Sequence, residues 1–323
     1  MLEIKNLKKA YGKETDVLCD VSFSIENKGI YAVLGDKGEG KTALARIICG
    51  CEDADGGEVL LDGEHMSRKN MSLKHKVRLV PTQLALYGTV TPVEHLEFVG
   101  GVLGIDPDKK YRQIKEALEL VGLDASQNKP FAALDAFERF ALALAAALLG
   151  NPDVLVIDDA LCGIDASRMD TVRQLMEMLG KIKVVILLTH RPSDVKKMCE
   201  HVFLLHNGRI ALGGKISDIM AKVNSTSQLY ITVRGGSTEV ITAVCSVDTV
   251  VEAKITGAQS GGVISVYVEY TPDANIKDKL TSALAGINAP IHTWRAVTLD
   301  LEDVFNSFRS RSRKADDGKE KRV

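Results

Sequence analysis

Three groups of residues in this chain could do chemistry by type and spacing. The first is Gly35-Asp36-Lys37-Gly38-Glu39-Gly40-Lys41-Thr42, which satisfies G-x-x-x-x-G-K-[ST] in full. Its glycines let the backbone close a tight loop whose N–H groups turn inward toward an anion. Lys41 adds a cation able to reach β- and γ-phosphates, and Thr42 offers a hydroxyl to Mg²⁺. Gly35 through Ala43 is therefore the expected phosphate cradle. The second group is Asp158-Asp159, two carboxylates at the end of the apolar run Val154-Leu155-Val156-Ile157. Beside a phosphate loop, Asp158 is expected in the Mg²⁺ shell. The third is His190, which follows the stretch Lys183 to Leu188, apolar from Val184 on, and Thr189. A lone histidine is usually a packed structural residue, but one at the C-terminal end of a buried parallel strand faces the ligand edge. Tyr11 stands apart, an aromatic among polar residues. It is either a strand-end surface ring or a platform for a purine, and residue type alone favours the former.

The elements that must position these groups can be read from the same chain. Gly29 to Leu34 is a short buried-strand run entering the loop, and Thr42 to Cys49 has the pattern of a helix stopped at Gly50. Leu2-Glu3-Ile4 and Val17 to Ile25 are strand-like. Glu58 to Leu61 and Val77 to Val80 are further strands. Thr91 and Pro92 fit the N-cap and first position of a helix. Pro107 to Gly122 is amphipathic, and Asp135 to Gly150 is a strongly apolar helix. Met169 to Leu179 is helical, and Val202 to Leu212 forms a hairpin about Asn207-Gly208. Alternating strands and helices to about residue 220 imply a mostly parallel, wrapped sheet. Beyond Ser225 the order becomes β-α-β-β-α-β, a ferredoxin-like unit with strands at Leu229–Val233, Val250–Ile255, Val263–Tyr270 and Ile291–Val297. Leu299 to Phe308 is a closing helix.

Composition bounds the rest. A length of 323 residues suggests roughly two domains. The net charge of −2 argues against a nucleic-acid partner. Six scattered cysteines without a C-x-x-C pair fit reduced thiols in a cytosolic protein. No signal peptide is recognised at the start, and the longest apolar run, Phe140 to Leu149, is too short for a membrane span. The tail 309–323 holds seven basic and three acidic residues and is expected to be a solvated end, with attraction to an anionic membrane as the minority alternative.

With these residues laid out, the chain resembles the ATP-binding subunit of ABC transporters, and most of all the exporter subfamily whose ATPase chains end in a small extra domain. The resemblance covers nearly all of 1–308, including Leu299-Asp300-Leu301-Glu302-Asp303-Val304-Phe305, which looks like the family's usual ending. It implies an α/β P-loop NTPase fold: a RecA-like sheet with an antiparallel β subdomain and a helical subdomain over about 87–150. This ATP-binding domain would occupy 1–222, followed by a small α+β ferredoxin-like domain at 223–308. It implies ATP and Mg²⁺ as cofactors. The implied partners are an integral membrane permease and a second ATP-binding subunit, in a homodimer or heterodimer. The implied place is the cytoplasmic face of the cell membrane, as a peripheral protein. By the same resemblance Tyr11 becomes the adenine-stacking aromatic, Asp158 the Mg²⁺-associated aspartate and His190 the histidine that senses γ-phosphate. Cys162-Gly163-Ile164-Asp165 becomes the D-loop. No Asn-Lys-x-Asp guanine motif is present.

The chain departs from the family at four places. The family signature Leu-Ser-Gly-Gly-Gln is here Leu134-Asp135-Ala136-Phe137-Glu138. Asp135 puts a carboxylate where a phosphate should dock, and two unit charges at ~4 Å repel by about 4 kcal/mol at an effective dielectric of ~20. Asp135 and Glu138 also have capping-box spacing, so the helix start is expected to satisfy itself. Asp159 replaces the glutamate general base and is one methylene shorter; a displacement of ~1 Å can cost on the order of 10²-fold in rate. Thr82 follows Pro81 where the family has Gln or Glu. Gln83 comes one residue late and reaches Mg²⁺ only if the chain bulges. Ala160-Leu161 stands where Pro-Thr is usual. The expected function is an ATP-binding subunit of an exporter with slow hydrolysis. The alternative is an ATP-sensing regulatory or assembly subunit that binds but barely hydrolyses ATP.

Overall fold

The chain is described from a computed structural model covering all residues except 13–15, 224–226, 260–261, 272, 274, 298–299 and 307–323. It divides into two units, Met1–Ile216 and Ser217–Val323.

In the first unit, β1 (Leu2–Ala10) and β2 (Asp16–Ile25) form an antiparallel pair, and β3 (Gly29–Leu34) leads through the glycine-rich loop into α1 (Lys41–Ile48). Then follow β4 (Gly56–Leu61), β5 (Glu64–His65), α2 (Met71–Lys76) and β6 (Val77–Val80). Three helices come next, α3 (Pro92–Val102), α4 (Pro107–Val121) and α5 (Ala136–Leu148). The unit continues with β7 (Val154–Asp158), α6 (Ala166–Gly180), β8 (Val184–Thr189), α7 (Pro192–Met198), β9 (His201–His206) and β10 (Arg209–Lys215). The strands lie in the order β5-β4-β1-β2-β10-β9-β3-β8-β7-β6. From β9 through β3, β8 and β7 to β6 every pairing is parallel, while β1, β2, β4 and β5 pair antiparallel. The two parts join where Arg209 of β10 pairs with Asp20 of β2. The turn Asn207-Gly208 that closes the β9–β10 hairpin has positive φ at both residues, 49° and 67°, as a two-residue hairpin turn requires.

The central parallel strands are apolar runs because both of their faces are covered. Leu44 and Ile48 of α1 are fully buried against this sheet together with Val33, Val156 and Ile186. Burying such a side chain contributes roughly 1.5–3 kcal/mol. The N-cap expected at Thr91 and the capping box expected at Asp135 and Glu138 both form, and at α3 Glu94 adds a second bond not read from sequence. Thr91 and Glu94 make a capping box at α3, and Asp135 and Glu138 make one at α5.

Several elements extend beyond the sequence reading. β1 continues past Ile4 to Ala10, through register shifts after Ile4, Leu7 and Lys9. Asn6 sits at φ 46°, its N–H donating to Ser22 Oγ at 2.8 Å. These bulges break the period-2 pattern that marks a strand. Helix α6 starts at Ala166, before Met169. The short helices α2 and α7 have no sequence counterpart; each spans fewer than two full apolar turns. Among the described residues no helix is long and apolar enough to cross a membrane.

The second unit opens in α8 (Ile216–Val223) and continues as β11 (Ser227–Arg234), α9 (Ser237–Cys245), β12 (Val250–Gln259), β13 (Val263–Tyr270), α10 (Ile276–Ala285) and β14 (Ile291–Val297). Its sheet runs β12-β13-β11-β14 with every pairing antiparallel, the ferredoxin-like β-α-β-β-α-β order. Ile231, Val266 and Val268 alternate inward and meet Val240, Val244, Leu280 and Leu284 of the two helices. Residues 301–306 are helical, with Leu301, Val304 and Phe305 buried. The remainder of the expected closing helix and the tail 309–323 lie outside the described residues.

Candidate functional site

Three neighbouring parallel strands end together. Register pairs Leu34 of β3 with Thr189 of β8, and Leu188 of β8 with Asp158 of β7. The glycine-rich loop, His190 and Asp158-Asp159 therefore leave the sheet at one edge, where open parallel sheets place their ligands.

The loop is shaped by its glycines. A Cβ on Gly35 would lie 2.8 Å from the carbonyl oxygen of Leu205, so only glycine fits against β9. Gly38 and Gly40 hold φ of 90° and 91°, and a Cβ on Gly40 would lie 2.7 Å from the Val17 carbonyl oxygen. Gly40 caps α1 without a side-chain acceptor, so the first N–H groups of the helix are left for another partner. Asp36 is half-buried and Lys37 exposed. Glu39 anchors the loop to the β9–β10 hairpin: its Oε2 accepts from Asn207 N–H at 2.6 Å and its Oε1 lies 3.1 Å from His206 Nδ1. Lys41 curls back over the loop and donates to the carbonyls of Gly35 at 2.9 Å and Asp36 at 2.7 Å. It is buried, and burial holds its ammonium below the ordinary lysine range although Asp159, Asp158, Asp36 and Glu39 pull it upward. Thr42 is exposed on the first turn of α1, whereas Ala43 is buried beneath it.

Asp158 is 3 % exposed at the end of β7. Burial pushes its carboxyl above the ordinary aspartate range, against hydrogen bonds from Thr42 and Thr82 and the charge of Lys41. Its Oδ1 is buried without a hydrogen-bond partner. A buried carboxylate with one orphaned oxygen, beside a lysine and a threonine hydroxyl, suits a hard divalent cation that takes oxygen ligands. Thr82 donates to Asp158 at the backbone carbonyl, 2.7 Å, and at Oδ2, 3.3 Å. Gln83 is exposed, as Thr82 is, and both line a cavity with Pro81, Ala136, Arg139 and Cys162. Of the two, Thr82 is the residue bonded to Asp158.

Asp159 follows with φ 48° and donates its N–H to Leu188 O at 2.8 Å. Its carboxylate faces His190 Nδ1 at 2.8 and 3.0 Å. Tyr11 is 45 % exposed; its hydroxyl donates to Glu52 Oε2 at 2.8 Å and Lys9 Nζ stands 5.6 Å from its ring centroid. Burial and Glu52 raise the Tyr11 hydroxyl above the ordinary tyrosine range. Sequence reading missed Glu52 altogether, since nothing local links it to a tyrosine forty-one positions away.

The start of α5 is closed on itself. Glu138 N–H donates to Asp135 Oδ1 and Asp135 N–H to Glu138 Oε2, both at 2.8 Å. Glu138 also accepts from Ser126 Oγ at 2.7 Å and Lys129 Nζ at 2.8 Å. Phe137 is buried, and Arg168 lies over its ring at 5.2 Å. Nearby, Gly163 holds φ 86° between exposed Cys162 and Asp165, the N-cap of α6.

Known proteins resemble this chain in sequence and fold. Residues 18–162 match the family model described as ABC transporter. The chain is 27% identical over 236 residues to the linearmycin resistance ATP-binding protein LnrL of Bacillus subtilis, covering 73% of this chain and 76% of the relative. It is also 27% identical over 231 residues to the methionine import ATP-binding protein MetN of Staphylococcus haemolyticus, covering 68% and 67%. Among solved structures, an ATP-binding subunit of an ABC transporter superposes with a TM-score of 0.61 at 23% identity, covering 69% of this chain and 93% of that one. A dimeric ATP-binding cassette bound to ADP and Pi superposes with a TM-score of 0.60 at 21% identity, covering 67% and 98%. The phosphate-loop edge, the wrapped sheet and these matches together show that residues 18–162 carry an ABC transporter ATP-binding domain.

Proposed function

We propose that the chain is the ATP-binding subunit of an ABC exporter, hydrolysing ATP slowly and working with a separate integral membrane permease at the cytoplasmic face of the membrane. One observation carries the nucleotide assignment: the glycine loop and buried Lys41 share an edge with Asp158, whose Oδ1 lacks a partner. The loop N–H groups and the open start of α1 would hold the phosphates. Lys41, desolvated by burial, would gain an opposite charge from the β/γ-phosphates. Thr42 and Asp158 would hold Mg²⁺, which when bound neutralises phosphate charge. Tyr11 would offer its ring to the adenine, steadied by Glu52. Gln83, the other expected metal ligand, would join this set by turning in from the exposed exit of β6.

Two features support slow turnover. The general-base position, Asp159, is occupied by a bond to His190. The start of α5, which in the family grips a phosphate across a dimer, has its own donors satisfied by Asp135 and Glu138. A partner subunit with an intact α5 start would complete the phosphate site of this chain, so a heterodimer suits it better than a homodimer. The composite site formed on the partner's own loop would still lack that grip. The permease would cover the exposed apolar patch of the helical region, where Tyr87 is 85% and Phe98 69% exposed beside a groove of ≈ 1000 Å³. Export is supported by the resistance protein among the relatives and by the small C-terminal unit; import proteins match at the same identity.

The Asp159–His190 bond also favours a second reading, an ATP-sensing regulatory or assembly subunit that binds without turning over. Steady-state ATPase assays with Lys41→Ala as blank separate the two. Turnover well above the blank removes the sensing reading, and none even with the membrane partner removes the exporter reading.

A further inference from the structure

We propose that Thr82 is the positioning residue of the metal-facing carboxylate: its hydroxyl clamps Asp158 so that Oδ1 is the oxygen presented to the cation. The inference rests on the reading of loop 35–42 and Asp158 as a MgATP site.

The local chain explains why a hydroxyl is placed here. β6 and β7 run parallel in register up to Val80 and Ile157. Pro81 comes next and has no N–H with which to extend the ladder. Thr82 supplies the missing cross-strand bond through its side chain, to the carbonyl of Asp158 at 2.7 Å. A hydroxyl has a single proton, so donation is forked, with the longer arm reaching Oδ2 at 3.3 Å. That arm, together with the Thr42 hydroxyl that also bonds this carboxylate, makes the two carboxylate oxygens unequal. Oδ2 is engaged, and Oδ1 is left buried without a partner. Rotation of the carboxylate would otherwise exchange them, because terminal torsions of this kind are broad and two-fold. The clamp also fixes the peptide carrying Asp158 and hence the root of the side chain. An amide side chain at this position would have to reach the metal itself, whereas Thr82 acts through the aspartate.

The test uses the full chain with a non-hydrolysable ATP analogue and Mn²⁺ as the spectroscopic probe. Nucleotide affinity is measured with EDTA and with Mn²⁺, and the Mn²⁺ electron paramagnetic resonance line shape is recorded, for wild type, Thr82→Val and Thr82→Ser. Thr82→Val should weaken Mn²⁺ binding about tenfold, the loss of one hydrogen bond to a charged group, and broaden the signal. It should leave affinity in EDTA within about twofold, and Thr82→Ser should recover most of the Mn²⁺ affinity. Wild-type Mn²⁺ affinity and line shape in Thr82→Val would overturn the positioning role. So would an equal loss in EDTA and in Mn²⁺, or failure of serine to rescue, since each marks a general structural effect. If the wild-type chain binds the analogue in EDTA but gains nothing from Mn²⁺, the cation site itself fails. If it binds no analogue at all, the nucleotide reading fails first.

Discussion

His190 Nδ1 lies 2.8 Å from Asp159 Oδ2 and 3.0 Å from Oδ1, so one ring nitrogen addresses both oxygens of the carboxylate. The two residues leave neighbouring strands, and Asp159 is turned toward the ring by a left-handed backbone with φ 48°. Such a conformation costs a non-glycine residue roughly 1–2 kcal/mol. The N–H bond to Leu188 O helps hold it. A carboxylate held this way must loosen its grip on histidine before it takes a proton from anything else.

Groups that share a bond in this manner act as a unit, and their losses do not multiply. Asp159→Asn and His190→Gln should each lower turnover, measured above the Lys41→Ala blank, by on the order of 10²-fold. The double variant should be no slower than the slower single one. Multiplying losses would show that aspartate and histidine work at separate steps.

Gly40 and Gly38 share nearly the same φ, yet their surroundings differ. A Cβ on Gly38 meets nothing within 4 Å, whereas one on Gly40 would press on Val17 O at 2.7 Å. Gly38→Ala therefore carries only backbone strain, about 1–2 kcal/mol. Gly40→Ala must also push the loop away from β2. Thermal melts and ATP titrations should rank Gly40→Ala below Gly38→Ala in both stability and affinity. Equal behaviour of the two would mean that the loop relaxes without cost.

Much of this scaffold was legible before any coordinates. The runs at β3, β7 and β8 are continuous apolar stretches because parallel strands are covered on both faces. The cap at Thr91 and the box at Asp135/Glu138 are local, so their residue types and spacing show in the chain. What stayed hidden is non-local or irregular. Thr82 and Asp158 meet across 76 positions, and Asp159 and His190 across 31. No periodicity records such pairs. β1 was under-read because its bulges interrupt alternation, and α7 because Arg191 offers no cap bond and only a proline marks its start.

The start of α5 makes a pH-dependent contribution to stability. Burial pushes the Glu138 carboxyl upward, but bonds from Lys129, Asp135 N–H and Ser126 outweigh it, and the group is held below the ordinary glutamate range. A carboxyl depressed in the folded state stabilises fully above its unfolded value, about 4.3, and the contribution fades as pH falls through the lower folded value. Glu138→Gln should therefore cost about 1–2 kcal/mol at neutral pH and converge on wild type once the pH has fallen below the depressed folded value. Denaturant titrations across that range decide it. A constant gap between the two proteins would show that the cap works by shape alone.

The second unit has a core of its own, and its unfolding should be separable from the nucleotide site. Leu280 is fully buried among Val240, Val244, Val266 and Leu284. Leu280→Ala opens a cavity there and should cost about 2–5 kcal/mol. Because none of these side chains belongs to the phosphate-loop edge, MgATP at 100-fold its dissociation constant should still add about 2.7 kcal/mol to the first unit. Calorimetry with and without MgATP reads both quantities at once. The expected trace has two transitions, one lowered by Leu280→Ala and one raised by nucleotide. A single transition that responds to both would mean that the two units unfold as one cooperative body.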